Sequence, residues 1–217
     1  KSETEIRNVV ICGMGGSGIG GRIVSQWLSN DLQVPVNFCQ DYHLPNYVNE
    51  NSLVIGSSYS GNTEETLMAL DTAIKKGARL IGITSGGKLA EICEQHGFDF
   101  ALVPGGNPPR ASMGYSIVQL VNIFAKLGMC PMERLSEIQK GIDLINAEQE
   151  VIRVESKQLA RALKDKITMF YSSGSHSGLT VRARQQFNEN AKKLAHAHAI
   201  PEMNHNELLG WTGGDSR

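Results

Sequence analysis

The chain has 217 residues, a formal net charge of −1, and a composition that is 41% hydrophobic and 20% charged. That length can bury one large core or two small ones. The balanced charge, with no basic run, argues against a nucleic-acid binder that works by neutralising phosphates. No window is apolar for long enough to span a bilayer, and the charged start, Lys1 to Asn8, does not resemble a signal peptide.

Asn8–Cys12 is an apolar first strand running into the small-residue loop Gly13-Met14-Gly15-Gly16-Ser17-Gly18, and a helix follows through Ile23, Val24, Trp27 and Leu28. Val34–Phe38 is a short second strand, and Leu53–Gly56 a buried third. The third strand opens into Ser57-Ser58-Tyr59-Ser60-Gly61-Asn62-Thr63, after which Leu67, Leu70, Ala73 and Ile74 recur at helical spacing. A helix start offers unpaired N–H groups and positive partial charge, and short hydroxyls add donors, so this turn suits a phosphate monoester. The alternative is an ordinary helix cap, with Thr63 and Thr66 closing a capping box. Arg79–Thr84 and Phe98–Val103 are the fourth and fifth strands, with a helix through Leu89 and Ile92 between them. Strands alternating with helices at this spacing predict parallel βαβ units with helices on both faces.

Pro104–Arg110 is a rigid loop carrying one charge, and Tyr115–Leu127 reads as an apolar helix. From Met132 to Lys164 apolar residues keep one helical face, which reads as a connector between two halves. Ile167–Tyr171 is then a strand leading into Ser172-Ser173-Gly174-Ser175-His176-Ser177-Gly178 and another helix. At an offset of 160, Ser17-Gly18 falls on Ser177-Gly178 and Arg22 on Arg182, so the halves look like relatives. The expected domains are 1–130, a helical connector over 131–165, and the start of a second domain over 166–217. A parallel sheet with so few strands leaves its edge open, so further chain is expected beyond Arg217; the lack of an initial methionine points to chain upstream as well.

Three single features admit competing readings. Gly13-Met14-Gly15-Gly16-Ser17-Gly18 satisfies a dinucleotide-binding fingerprint, with Asp41 as a ribose-binding acid. Asp41 lies 28 residues past Gly13, farther than the usual 20 or so, and the serine turn would then be redundant. His196, His198 and His205 suggest zinc, without an acidic or thiol ligand at compelling spacing. Cys12, Cys39, Cys93 and Cys130 are scattered with no pairing rhythm, which fits a reducing cytoplasm.

Gly13–Gly21, Ser58–Thr63, Pro108-Pro109-Arg110, Gln186–Lys192 and His205–Trp211 together resemble the bifunctional phosphoglucose/phosphomannose isomerases, which are built from two SIS (sugar isomerase) domains. The resemblance implies an α/β fold of two flavodoxin-like αβα sandwiches with parallel sheets, the second incomplete in this chain. It implies that Gly15, Gly16 and Ser17 line the sugar site and that Ser58, Ser60 and Thr63 hold the phosphate. Arg110 would lie by the reacting carbons, Glu189 would move the proton between C1 and C2, and His205 would assist ring opening from the neighbouring subunit of a homodimer. A lysine that the family places near the ring oxygen has no counterpart before Arg217.

The chemistry needs these residue types. A carboxylate can take a proton and return it on the same face of a cis-enediol. A histidine titrates where ring-opening transfer requires, and a guanidinium stabilises enediolate charge without losing its own proton. No metal or organic cofactor is required. Without the family pattern, Glu189 reads as a mid-helix surface ion pair with Lys193, and His205 as a loop histidine near a helix start. A regulator that binds a phosphosugar without turning it over would need Ser58–Thr63 but not Glu189 and His205 together.

Overall fold

A computed structural model describes residues 5–213. The chain forms two compact units that meet in sequence between Met132 and Glu133.

The first unit holds five parallel strands: β1 (Asn8–Cys12), β2 (Val36–Cys39), β3 (Ser52–Ser57), β4 (Arg79–Thr84) and β5 (Asp99–Leu102). Their order is β2-β1-β3-β4-β5, and every neighbouring pair is parallel. Helices α1 (Gly15–Trp27), α2 (Glu64–Lys75), α3 (Gly87–His96) and α4 (Met113–Lys126) connect and cover the sheet. All six residues of β3 are buried, as expected of a central strand in a sheet covered on both faces. Val10, Cys12, Val54, Leu70, Leu80 and Leu89 belong to one core cluster.

The strands lie within two residues of expectation, and two displaced starts have local causes. Pro35 has no N–H for a ladder, so it contributes only its carbonyl, to the Val9 N–H at 2.9 Å, and β2 begins at Val36. Gly97 ends α3 in the left-handed conformation, and the Phe98 N–H turns back to the Cys93 carbonyl at 2.8 Å, so β5 begins one residue later.

The second unit opens with α5 (Glu133–Ala147) and α6 (Gln149–Leu163), two helices where the sequence predicts one continuous run. The break is a single residue, Glu148, with φ −94° and ψ 8°, and neither helix has a buried residue. Strands β6 (Thr168–Ser173) and β7 (Ala195–Ile200) pair in parallel. Between them lies α7 (Ser177–Gln186), extended by one wide π turn over Phe187–Ala191. A 3-10 turn, Glu202–His205, leads to the short α8 (Glu207–Gly210). Among the described residues no helix is long and apolar enough to cross a membrane.

Candidate functional site

In open parallel sheets, ligands sit beyond the carboxyl ends of the strands, where the winding direction reverses. Here the reversal falls between β1 and β3, and the two loops emerging there are the glycine loop and the serine turn. They are joined directly. The Tyr59 N–H donates to Ser17 Oγ at 3.2 Å, and Ser57 Oγ donates to the Ser17 carbonyl at 3.2 Å. A Cβ on Gly13 would come within 2.6 Å of the Ser57 carbonyl oxygen, so this closeness needs a glycine. Gly15 and Gly16 form the first turn of α1, with Gly15 exposed.

The serine turn is held by its own hydroxyls and by the turn after β4. Ser58, which is buried, pairs its hydroxyl with that of Thr63 at 2.8 Å. Thr63 occupies the cap position of α2 but makes no side-chain cap; its hydroxyl is in contact with Ser58 instead, so the alternative reading of a capping box does not hold. Ser60 is exposed, and its Oγ accepts the Asn62 N–H at 3.2 Å. Gly61 has φ +71°, and a Cβ there would fall 1.8 Å from the Gly86 carbonyl oxygen. The Ser85 N–H and hydroxyl both donate to the Tyr59 carbonyl, at 2.9 and 2.6 Å. The Lys88 N–H donates to Asn62 Oδ1 at 3.1 Å. Ser58, Ser60 and Thr63 are thereby set at the start of α2 as one rigid group. Glu64 and Glu65 share this first helical turn, and their charges push the Tyr42 phenol above its ordinary pKa.

Arg110 lies in a 3-10 turn, Pro109–Ala111, that packs against α1. Its loop is tied to the serine turn through Tyr59, a residue that sequence reasoning did not single out. The Tyr59 hydroxyl donates to the Pro104 carbonyl at 2.9 Å and accepts the Asn107 N–H at 3.1 Å, and its ring stacks on Tyr115 with centroids 6.4 Å apart. Glycine loop, serine turn and arginine loop therefore converge within the first unit.

Glu189 and His205 belong to the second unit. Glu189 is not mid-helix: it is exposed in the π turn that ends α7, because Lys192 adopts a left-handed φ of 55° and stops the helix. Such wide turns recur at functional sites. Phe187, where the turn starts, packs edge-on against Phe170 of β6 with centroids 5.1 Å apart. Lys193 sends its ammonium to the Leu163 carbonyl at 3.1 Å. The buried Arg182 lies close enough to Glu189 for their charges to interact: burial lowers the guanidinium pKa and the carboxylate opposes that shift. Arg182 is visible in the sequence only as the counterpart of Arg22.

His205 is exposed at the end of its 3-10 turn. Two residues on, Glu207 accepts hydrogen bonds from the Tyr171 hydroxyl, from His198 Nδ1, and from Trp211 Nε1 at 3.2 Å. These donors, Tyr171 foremost, hold the Glu207 carboxyl below its ordinary pKa. His198 is thus engaged by Glu207, and among the described residues no three His, Cys, Asp or Glu side chains are grouped as a metal site.

Comparison with known proteins agrees with this arrangement. Residues 4–99 match the SIS domain, and residues 152–217 match the bacterial phospho-glucose isomerase C-terminal SIS domain. A bifunctional phosphoglucose/phosphomannose isomerase from Caldicellulosiruptor bescii is 40% identical over 215 residues, covering 95% of this chain and 63% of the relative. A D-glucosamine-6-phosphate 4-epimerase from Sulfolobus acidocaldarius is 34% identical, covering 90% of this chain and 61% of the relative. Among solved structures, the C-terminal domain of glucosamine-fructose-6-phosphate aminotransferase from Francisella tularensis superposes with a TM-score of 0.74. It is 18% identical, with 95% of this chain and 62% of that one covered, a likeness of fold alone. The chain thus spans a little under two thirds of these relatives' lengths. With SIS models matching both halves, parallel sheets throughout and the serine turn at the point where winding reverses, the chain belongs to the SIS-domain, bifunctional phosphoglucose/phosphomannose isomerase-like family.

Proposed function

We propose that the chain carries the sugar-phosphate grip and the acid–base residues of an aldose–ketose isomerase. It interconverts glucose 6-phosphate, and mannose 6-phosphate as well, with fructose 6-phosphate through a cis-enediol. The observation that carries this reading is the junction of the glycine loop and the serine turn through Ser17 and Tyr59. Ser58, Ser60 and Thr63 bind the phosphate, and Gly15, Gly16 and Ser17 border the sugar. Phosphate binding away from the reacting carbons fixes orientation. His205 moves the ring-opening proton, Glu189 shuttles the proton between C1 and C2, and Arg110 stabilises the enediolate.

Following the family pattern, the active form is a homodimer in which His205 serves the neighbouring subunit's site. Residues 1–130 act as the phosphate-binding domain, 131–165 as a connector, and 166–217 as the start of the second SIS domain. Four cysteines present as thiols support a cytoplasmic setting.

Fructose 6-phosphate supplied to the protein that contains this sequence, followed by NMR of the products, tests the reading. Glucose 6-phosphate and mannose 6-phosphate should both form. Glu189→Gln should lower the rate by a factor on the order of 10³ while phosphosugar binding persists. Binding without turnover would leave a phosphosugar-binding regulator. Inversion at C4 instead would place the chain with its epimerase relative.

A further inference from the structure

In the sequence Cys12 and Cys39 show no pairing rhythm. The fold makes them a pair. Cys12 ends β1 and Cys39 ends β2, and the two are register partners on adjacent parallel strands. Both are buried, 0% and 5% exposed, and belong to the same core cluster as Val10, Leu44, Val48 and Val54. Strands in a sheet run about 4.8 Å apart, within the Cα separations of about 4.4–6.8 Å that disulfides span. Cys39 lies on an edge strand, and its sulfur sits 3.4 Å from the Asp41 carbonyl and 3.3 Å from that of His43. The other two cysteines have no such arrangement: Cys93 is buried in α3, and Cys130 follows α4.

We propose that Cys12 and Cys39 form a peroxide-oxidised dithiol site, closing to a disulfide at the base of the glycine loop. The Cys39 thiolate attacks one oxygen of a hydroperoxide, the O–O bond breaks, and Cys39 becomes a sulfenic acid as hydroxide or alkoxide leaves. The Cys12 sulfur then attacks the Cys39 sulfur, the S–O bond breaks, and the hydroxyl departs as water with the Cys12 proton. Two thiols and one hydroperoxide thus give one disulfide, one water and one further water or alcohol. Interaction between the two thiols lowers Cys39 to about 6 and, with burial, raises Cys12 well above its usual value. Burial pushes Cys93 up to about 11, which leaves it a poor nucleophile and a built-in control.

The location ties this chemistry to the candidate site. Gly13 follows Cys12 directly, and its N–H donates to the Cys39 carbonyl at 3.2 Å. A Cβ on Gly18 would meet the Gln40 side chain at 3.0 Å, so the residue after Cys39 lies against the glycine loop. A bond between the sulfurs draws the ends of β1 and β2 together beneath Gly15, Gly16 and Ser17. The expected weakening of phosphosugar binding rests on the proposed function; the thiol chemistry does not.

The test treats the reduced, folded chain with hydrogen peroxide, then alkylates free thiols under denaturing conditions and maps the peptides. Cys12 and Cys39 should disappear together, appear as one linked peptide pair, and return with dithiothreitol, while Cys93 stays alkylable. In Cys12→Ser, Cys39 should stop at a sulfenic acid trapped by a dione reagent. If both thiols remain alkylable, or if Cys39 proceeds to a sulfinic acid beside a free Cys12, the proposal is overturned. The wild-type map decides even if the variant fails to fold. A disulfide that forms without changing fructose 6-phosphate affinity would overturn its coupling to the sugar site and leave the modification site standing.

Discussion

The chain contains two hydroxyl-rich turns that look alike in sequence, Ser57-Ser58-Tyr59-Ser60-Gly61 and Ser172-Ser173-Gly174-Ser175-His176, each between a strand and a helix. The first leaves β3, which is flanked by β1 and β4, and Ser57 and Ser58 are each only 1% exposed. The second leaves β6, whose one partner among the described strands of its sheet is β7. In the second turn Ser173 and Ser175 are exposed and both contact His176 Nδ1, at 2.8 and 3.0 Å. The first turn is braced by Ser17, Ser85 and Lys88, whereas the side chains of Ser173, Ser175 and His176 hydrogen-bond with one another. Small hydroxyl residues at a strand end are therefore common to both. What distinguishes a preorganised anion grip is the central strand beneath it and the neighbouring loops that fix it.

The glycines of the two turns offer the sharpest way to break this contrast. Gly61 has φ +71° and no room for a Cβ beside the Gly86 carbonyl, whereas a Cβ on Gly174 would meet nothing within 4 Å. Gly61→Ala should destabilise the protein by about 3 kcal/mol, lowering the thermal midpoint by roughly 10 °C. Gly174→Ala should stay within about 0.5 kcal/mol of wild type. Equal losses by calorimetry would mean that the second turn is braced as firmly as the first.

Much of this contrast was legible in the sequence, because apolar runs of strand length punctuated by glycine and serine placed β1 to β6, whereas the alternating Ala-His-Ala-His-Ala of β7 was not assigned a strand. The parts that were not legible depend on partners distant in sequence or on the conformation of a single residue. Tyr59 sits inside the stretch the sequence singled out, but its role comes from Pro104, 45 residues away. The Thr63 hydroxyl could cap α2 or pair with Ser58, and composition cannot choose between two bonds of similar strength. The turn at Glu189 escaped notice because nothing in Phe187–Ala191 signals a wide turn, and the left-handed residue that ends it is a lysine instead of a glycine.

Binding should separate the turns as stability does. Ser58→Ala removes a buried hydroxyl from the proposed phosphate grip and strands that of Thr63, a loss of about 1.4 kcal/mol and hence roughly tenfold in fructose 6-phosphate affinity. Ser173→Ala, on the exposed turn, should leave that affinity within about twofold. Calorimetric titration showing the reverse order would move the phosphate to the second turn. Tyr59→Phe keeps the stacking on Tyr115 but frees the Pro104–Asn107 loop, so it should reduce kcat about fivefold through Arg110 with little change in KM. A change confined to KM would place Tyr59 with phosphate binding instead.

The smallest effect concerns acid. The second unit anchors its C-terminal turn through a charge, whereas the first unit's turns are braced largely by neutral groups. Glu207, beside His205, accepts from Tyr171, His198 and Trp211, and its folded pKa lies below the ordinary 4.5. A carboxylate with a depressed folded pKa contributes stability that is fully present above its unfolded pKa and is lost as pH falls through the folded one. The difference in thermal midpoint between wild type and Glu207→Gln should therefore be widest near neutral pH and narrow below about pH 4.5. The chain has two tryptophans, Trp27 in the first unit and Trp211 in the second, so a Trp27→Phe background lets Trp211 fluorescence report on this turn. A difference that stays constant down to about pH 3 would mean that the Glu207 carboxylate is anchored by shape and not by charge. The turn carrying His205 would then be no more electrostatic in construction than the serine turn of the first unit.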